Sequence, residues 1–217
     1  MKNIVQELNL AQYISAADST LAAMNFTEHN LAHVSRVAKM CCKILKELDY
    51  DEHTIELAEI ACYMHDIGNV INRHDHAHSG ALMAYNILLS HNFELHDILQ
   101  IMSAIGNHDE TTGSPVSPIS AALIIADKAD VRRSRVRNQD VNTFGIHDRV
   151  NYAVNSSHIV VNKEDSLITL KLELNPKYSS VFEYYEIFYG RMKLCKQAAN
   201  FLNMNFCLQI NDVTLMD

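Results

Sequence analysis

The sequence predicts a mainly α protein in two parts, an all-helical domain over residues 1–140 and a small α+β unit over residues 141–217. Two observations carry this. From about residue 4 to 140 apolar residues recur at spacings of three and four, the period of helices with one buried face. After a connector at 138–146 rich in Asn, Asp, Thr and Gly, two short runs of Ile, Val and Leu appear with polar turn residues between them, the pattern of a hairpin.

Each element has its own signal. Thr27 is placed to cap a helix through Leu31, Val34, Val37, Ala38, Cys41 and Leu45, and Asp51 to cap one through Ile55, Ala58, Ala61 and Cys62 that ends near Gly68. Two more helices fit residues 76–90 and 95–108. Ser117 before Pro118 puts a cap and a first-turn proline at the head of a helix continuing to about Arg133. A short helical piece at 148–154 precedes strands at 157–162 and 167–174. Helical spacing returns over 180–202, and 206–211 reads as a third strand. In that last helix Val181, Tyr184, Tyr185, Phe188, Met192 and Cys195 form one stripe, expected to pack on its own sheet, with a homodimer contact as the alternative.

Composition limits function. Of the 217 residues 48% are hydrophobic and 20% charged, a globular balance that supports a packed core. The net charge of -8 opposes binding to long nucleic acid or to an anionic membrane, so a small ligand is expected. No apolar run approaches the roughly 20 residues that span a bilayer, and the first residues lack an uninterrupted apolar stretch, so a soluble, cytoplasmic protein is expected. Five cysteines without a C-x-x-C spacing read as small core hydrophobes. The 12 histidines are the unusual count.

Five His-Asp dipeptides occur, at 65–66, 74–75, 96–97, 108–109 and 147–148. His65-Asp66 stands apart because it ends an apolar helix in ACYMHDIG, where buried polar groups need a partner and a divalent metal would satisfy both. His29, His53, His74, His91, His96, His147 and His158 lack such a setting and are expected to be exposed or capping.

The order His33 in HNLAHVSRV, His65-Asp66 in MHDIG and Asp127 in IIADKAD resembles the HD superfamily of metal-dependent phosphohydrolases over about residues 25–135. His76 in HAHSGA and His108 in IGNHDE resemble the further histidines of its two-metal subgroup, which includes the HD-GYP cyclic-dinucleotide phosphodiesterases and HD-domain messenger-RNA endonucleases of bacteria. The whole chain, with its DRVNYAV stretch, is similar to a group of bacterial HD-domain proteins. The resemblance implies His33, His65, Asp66 and Asp127 as metal ligands, His76 and His108 as ligands of a second ion, and Asp66 and His65 as the catalytic pair. His78 is the alternative to His76. Imidazole and carboxylate ligands without sulfur suit iron, manganese, zinc or nickel, one or two divalent ions. Such ions lower the pKa of bound water and stabilise phosphoryl oxygens, which gives hydrolysis of a phosphomonoester or phosphodiester by attack of hydroxide.

The chain departs from the family pattern at Asn69, where many relatives carry Lys, and at Asp109, where the two-metal subgroup often has His. The basic run DKADVRRSRVRN offers a compensation: Lys128, Arg132 and Arg133, with Arg135 and Arg137 beyond and Arg36 one turn after His33, are candidates for substrate phosphate. The expected substrate is a small phosphorylated molecule, a nucleotide or dinucleotide. The alternatives are an HD-type ribonuclease and a metal-binding regulatory or scaffold protein without turnover.

Overall fold

The protein, described by a computed structural model over residues 4–216, is mainly α with a small sheet near its C-terminus. Among the described residues the order is α1 (Ile4–Glu7), α2 (Leu10–Ala23), α3 (Leu31–Glu47), α4 (Glu52–Met64), α5 (His76–Ser90), α6 (Leu95–Gly106), α7 (Pro118–Ala129), α8 (Ile146–Ala153), β1 (Val154–Asn162), β2 (Leu167–Leu174), α9 (Val181–Phe201), β3 (Asn205–Ile210) and β4 (Val213–Met216). None of these helices is long and apolar enough to cross a membrane.

The central helix α7 is buried along nearly its whole length, from Ile119 to Ala129, because α3, α4, α6 and α9 all pack around it. Its start matches the sequence signal: the Ser117 hydroxyl accepts from the Ser120 amide, and Pro118 occupies the first turn. Its end does not. The helix stops at Ala129 rather than near Arg133, because the Asp130 carboxylate turns inward and takes contacts from His33, Arg36 and Arg132. The start of α3 also differs. Asn30, not Thr27, is the cap, with extended backbone and a side-chain oxygen accepting from the amides of Ala32 and His33 at 3.0 and 3.4 Å.

The small unit is a four-stranded sheet in the order β1-β2-β3-β4. β1 and β2 form the expected antiparallel hairpin, with β1 starting earlier, at Val154. β2 and β3 run parallel because α9 crosses between them. β4, absent from the sequence expectation, returns from β3 through Asn211 and Asp212, both at positive φ, a conformation these two residue types tolerate.

The stripe on α9 has Tyr184, Phe188, Met192 and Cys195 buried and Val181 and Tyr185 half-buried. It covers α7 as well as β3, so its packing is not on its own sheet alone. The hydrophobic core is consequently continuous from Leu8 to Ile210. Arg36 and Lys43 of α3 donate to the Ser157 and Ile159 carbonyls of β1, tying the sheet edge to the helices. All five cysteines are free, four of them buried and Cys42 half-buried.

Candidate metal centre

Four side chains from three helical segments converge on one point. His33 comes from the first turn of α3, His65 and Asp66 from the end of α4, and Asp127 from the last turn of α7. His33 Nε2 lies 3.4 Å from both Asp66 Oδ2 and Asp127 Oδ1, and His65 Nε2 lies 3.0 Å from Asp66 Oδ2 and 3.7 Å from Asp127 Oδ1. Yet His33 Nε2, His65 Nε2 and Asp66 Oδ2 are buried and take no hydrogen bond. These atoms crowd one centre without an aligned hydrogen bond between them, and a cation placed there would satisfy all three.

The reverse side of each ring explains its orientation. His33 Nδ1 donates to Asp130 Oδ2 at 2.8 Å, and His65 Nδ1 to the Cys62 carbonyl at 2.7 Å. With Nδ1 carrying the proton, Nε2 is left as the ligand atom, the usual tautomer of a metal-bound histidine. Asn69 holds Asp66 in turn, its Nδ2 donating to the Asp66 backbone carbonyl at 2.9 Å and to Oδ1 at 2.8 Å. The Asn69 amide thus braces a candidate ligand.

A second group sits on the other side of Asp66. His76 opens α5, and His108 follows the end of α6. Each donates from Nδ1 to a carbonyl, His76 to Arg73 at 3.1 Å and His108 to Ile105 at 2.7 Å. Their Nε2 atoms face each other at 3.2 Å, and His76 Nε2 is 3.5 Å from Asp66 Oδ1 and 3.9 Å from Asp109 Oδ1. Two imidazole lone pairs at that separation repel unless a proton or an ion lies between them. His78, the alternative to His76, is exposed and lies 3.7 Å from Asp75.

Gly68 joins the two groups. Helix α4 ends at Met64, and Gly68 lies in a 3-10 turn, Ile67–Val70, so it does not end the helix as expected. A Cβ on Gly68 would collide with the His76 carbonyl and the Gly80 amide. Glycine is required because the turn carrying Asp66 presses directly on the first turns of α5.

Electrostatics follow burial and partners. Burial pushes the Asp66 and Asp127 carboxyls up, but His65 and Lys128, with the other imidazoles, outweigh it and hold both well below the usual carboxylate range. Burial likewise lowers His65, but Asp66 and Asp127 raise it to about 10. Burial and the neighbouring His65 and His76 push His108 down to about 3, and burial lowers His76. The carboxylates are thus anionic and His76 and His108 neutral, the forms a divalent cation needs, whereas His65 must give up a proton to become a ligand. His33, His65 and Asp127 form one group with donor atoms within 4.8 Å of one another, and His65, Asp66 and His108 form another.

A cavity of about 940 Å³ is lined by Asp66, His76, His108 and Asp127. Lys128 lines it and is buried, its Nζ donating to Asp127 Oδ2 at 2.6 Å. Arg36, Arg132 and Arg133 do not line it. Arg36 and Arg132 contact Asp130, and Arg133 donates to the Tyr152 carbonyl and lies over the Tyr152 ring. Arg135 reaches the lining but donates to the Glu28 and Asp130 carbonyls, while Arg137 donates to the Phe26 carbonyl and pairs with Asp18. The basic run mostly ties the end of α7 to its surroundings. Cations at the cavity that sequence reasoning missed are Arg73, whose Nη1 approaches His76 and Asp66, and Arg191 of α9. Asp130, Glu110 and the half-buried His29, which meets the His33 ring edge-on at 5.3 Å, were missed as well. The only signal for Asp130 was its place three residues after Asp127.

Residues 30–133 match the HD domain family model. The chain therefore carries a domain of the HD superfamily. This HD domain places it among metal-dependent hydrolases, and the two His/Asp groups within it are able to hold a metal. The structure is also similar to the crystal structure of a predicted HD superfamily hydrolase from an uncultured Thermotogales bacterium, with 25% identity over 58% of this chain and 67% of that one and a TM-score of 0.46. No curated protein matches the chain.

Proposed function

We propose that this HD-domain protein is a phosphohydrolase that uses two divalent transition metal ions to cleave a phosphomonoester or phosphodiester of a small molecule, of nucleotide or dinucleotide size. The observation that carries the reading is the set of buried, unpartnered ligand atoms on His33, His65 and Asp66, backed on the far side by Asp130 and Cys62. The facing Nε2 atoms of His76 and His108 extend it to a second ion, with Asp66 presenting Oδ2 to one group and Oδ1 to the other. Iron, manganese, zinc or nickel fits this donor set. When bound, the ions would supply Lewis acidity toward the phosphoryl group and lower the pKa of attacking water.

The chain's own residues do the rest. Asp130, Asn69 and the Cys62, Arg73 and Ile105 carbonyls fix the ligand side chains before any ligand arrives, so little reorganisation is needed in the reaction. Arg73, 3.4 Å from His76 Nε2, is placed to meet a phosphoryl oxygen at this end of the cavity. The cavity volume of about 940 Å³ lies at the upper end of the range for small-molecule sites, large enough for a nucleotide or dinucleotide.

The test is metal analysis of protein purified without chelator, followed by turnover of p-nitrophenyl phosphate and bis-p-nitrophenyl phosphate. Metal content at or above one ion per chain with turnover of either ester is expected. Metal without turnover would leave a binding or scaffold protein, and cleavage of a labelled RNA oligomer in preference to both esters would make it a ribonuclease.

A further inference from the structure

The cavity has a second cationic end that the metal ligands do not use. Lys128 Nζ lies 3.3 Å from Glu110 Oε2, and the same Glu110 oxygen lies 3.0 Å from Nε of Arg191. Asp127, Lys128, Glu110 and Arg191 therefore form a chain of contacts leading from the candidate metal centre to helix α9. All four line the cavity.

Arg191 is held for a purpose that its ion pair does not exhaust. Its guanidinium lies over the Phe188 ring, 4.4 Å from the centroid, and only Nε is hydrogen-bonded, to Glu110 Oε1 at 3.2 Å. Nη1 and Nη2, the fork that matches a phosphate bidentately, take no partner among the described residues. Glu110 Oε2, shared between two cations, is buried and has no hydrogen-bond alignment with either. A carboxylate shared between two cations is the internal counterion with which an incoming anion must compete.

We propose that Arg191 and Lys128 form a phosphate subsite, in which Arg191 binds a second, non-reacting phosphate of the substrate and Glu110 competes with it. Arg191 is thus a specificity-determining residue, supplied by the segment beyond residue 133. The proposal rests on the phosphohydrolase reading for what happens to the first phosphate, but the binding of the second does not depend on turnover.

The test measures binding of methylenediphosphonate, which cannot be hydrolysed between its phosphorus atoms, and of orthophosphate to the full chain as purified, by calorimetry. Arg191→Gln should lower the ratio of diphosphonate to orthophosphate affinity by about tenfold, the value of one charge-assisted contact, and Arg191→Lys should restore part of it. Glu110→Gln should raise the ratio, because the competing carboxylate is gone. If Arg191 only docks α9, both neutral variants lower thermal stability and neither moves the ratio, which overturns the proposal. Glu110→Gln decides the matter even if Arg191→Gln fails to fold. A normal ratio change in protein that turns over no phosphoester would instead overturn the hydrolase reading and leave the subsite standing.

Discussion

The two halves of the ligand cluster are built differently, although Asp66 belongs to both. Around His33, His65 and Asp127 the rings are buried and Asp127 is half-buried, the three are drawn from three helices, and His33 is braced by Asp130, which itself takes three further cationic contacts. Around His76 and His108 the braces are backbone carbonyls, the nearest carboxylate beyond Asp66 is Asp109 at 3.9 Å, and Arg73 brings a competing positive charge to 3.4 Å. The first half is overdetermined by packing, and the second depends on a short turn and a loop. On the proposed two-ion reading, that contrast predicts a tighter ion in the first half and a weaker one in the second.

Asp66→Ala removes the residue common to both halves and should have the largest effect: most bound metal is lost and ester hydrolysis falls to background, read by elemental analysis and p-nitrophenyl phosphate turnover. Full metal content in that variant would discard the site. The contrast itself is tested by His33→Ala against His76→Ala and His108→Ala. The last two should each reduce metal by about half with a native circular dichroism spectrum, since they touch only the second ion. Retention of all the metal in both would make the centre mononuclear.

A smaller effect is expected at Asp130. Asp130→Asn keeps the shape but weakens the acceptor behind His33, and should cost about 10- to 100-fold in affinity for the first ion. The pH dependence sharpens the same half. Without an ion, His65 keeps its proton up to about pH 10, held by Asp66 and Asp127, so uptake of metal at neutral pH must expel that proton. Affinity should therefore fall about tenfold for each pH unit lowered per proton released, visible as a buffer-dependent heat in calorimetry. Ion binding with no proton release would contradict the assigned role of His65.

The smallest effect is a control outside both halves. Ser180 caps α9, its hydroxyl accepting from the Glu183 amide at 3.1 Å, so Ser180→Ala should cost about 1 kcal/mol of stability and leave metal content unchanged. A loss of metal in that variant would mean that α9 couples to the ligand cluster.

Much of this was legible in the sequence because local chemistry and spacing point the same way. His33, His65, Asp66 and Asp127 sit on helices whose apolar periods are readable, although the cap of α3 and the ends of α4 and α7 fall elsewhere than expected, and the structure brings their ligand atoms together. What escaped is set by tertiary approach. Asp130 reads as one more acidic residue in a mixed run until α7 stops and turns it toward His33. The Arg run reads as a phosphate site because charge density is visible in sequence and direction is not, while Arg191 is one of three basic residues spread along a later helix. Strand β4 is four residues long and was hidden by its brevity.

The contact between Gly68 and the start of α5 makes the cluster a caliper with fixed jaws. The jaw carrying Asp66 and the jaw carrying His76 meet backbone to backbone, so no side chain between them can yield to admit a larger ion or a wider pair. The spacing of the jaws is thus fixed by a hydrogen atom where any other residue would have carbon, and the proposed ions would be sorted by size as well as by donor chemistry.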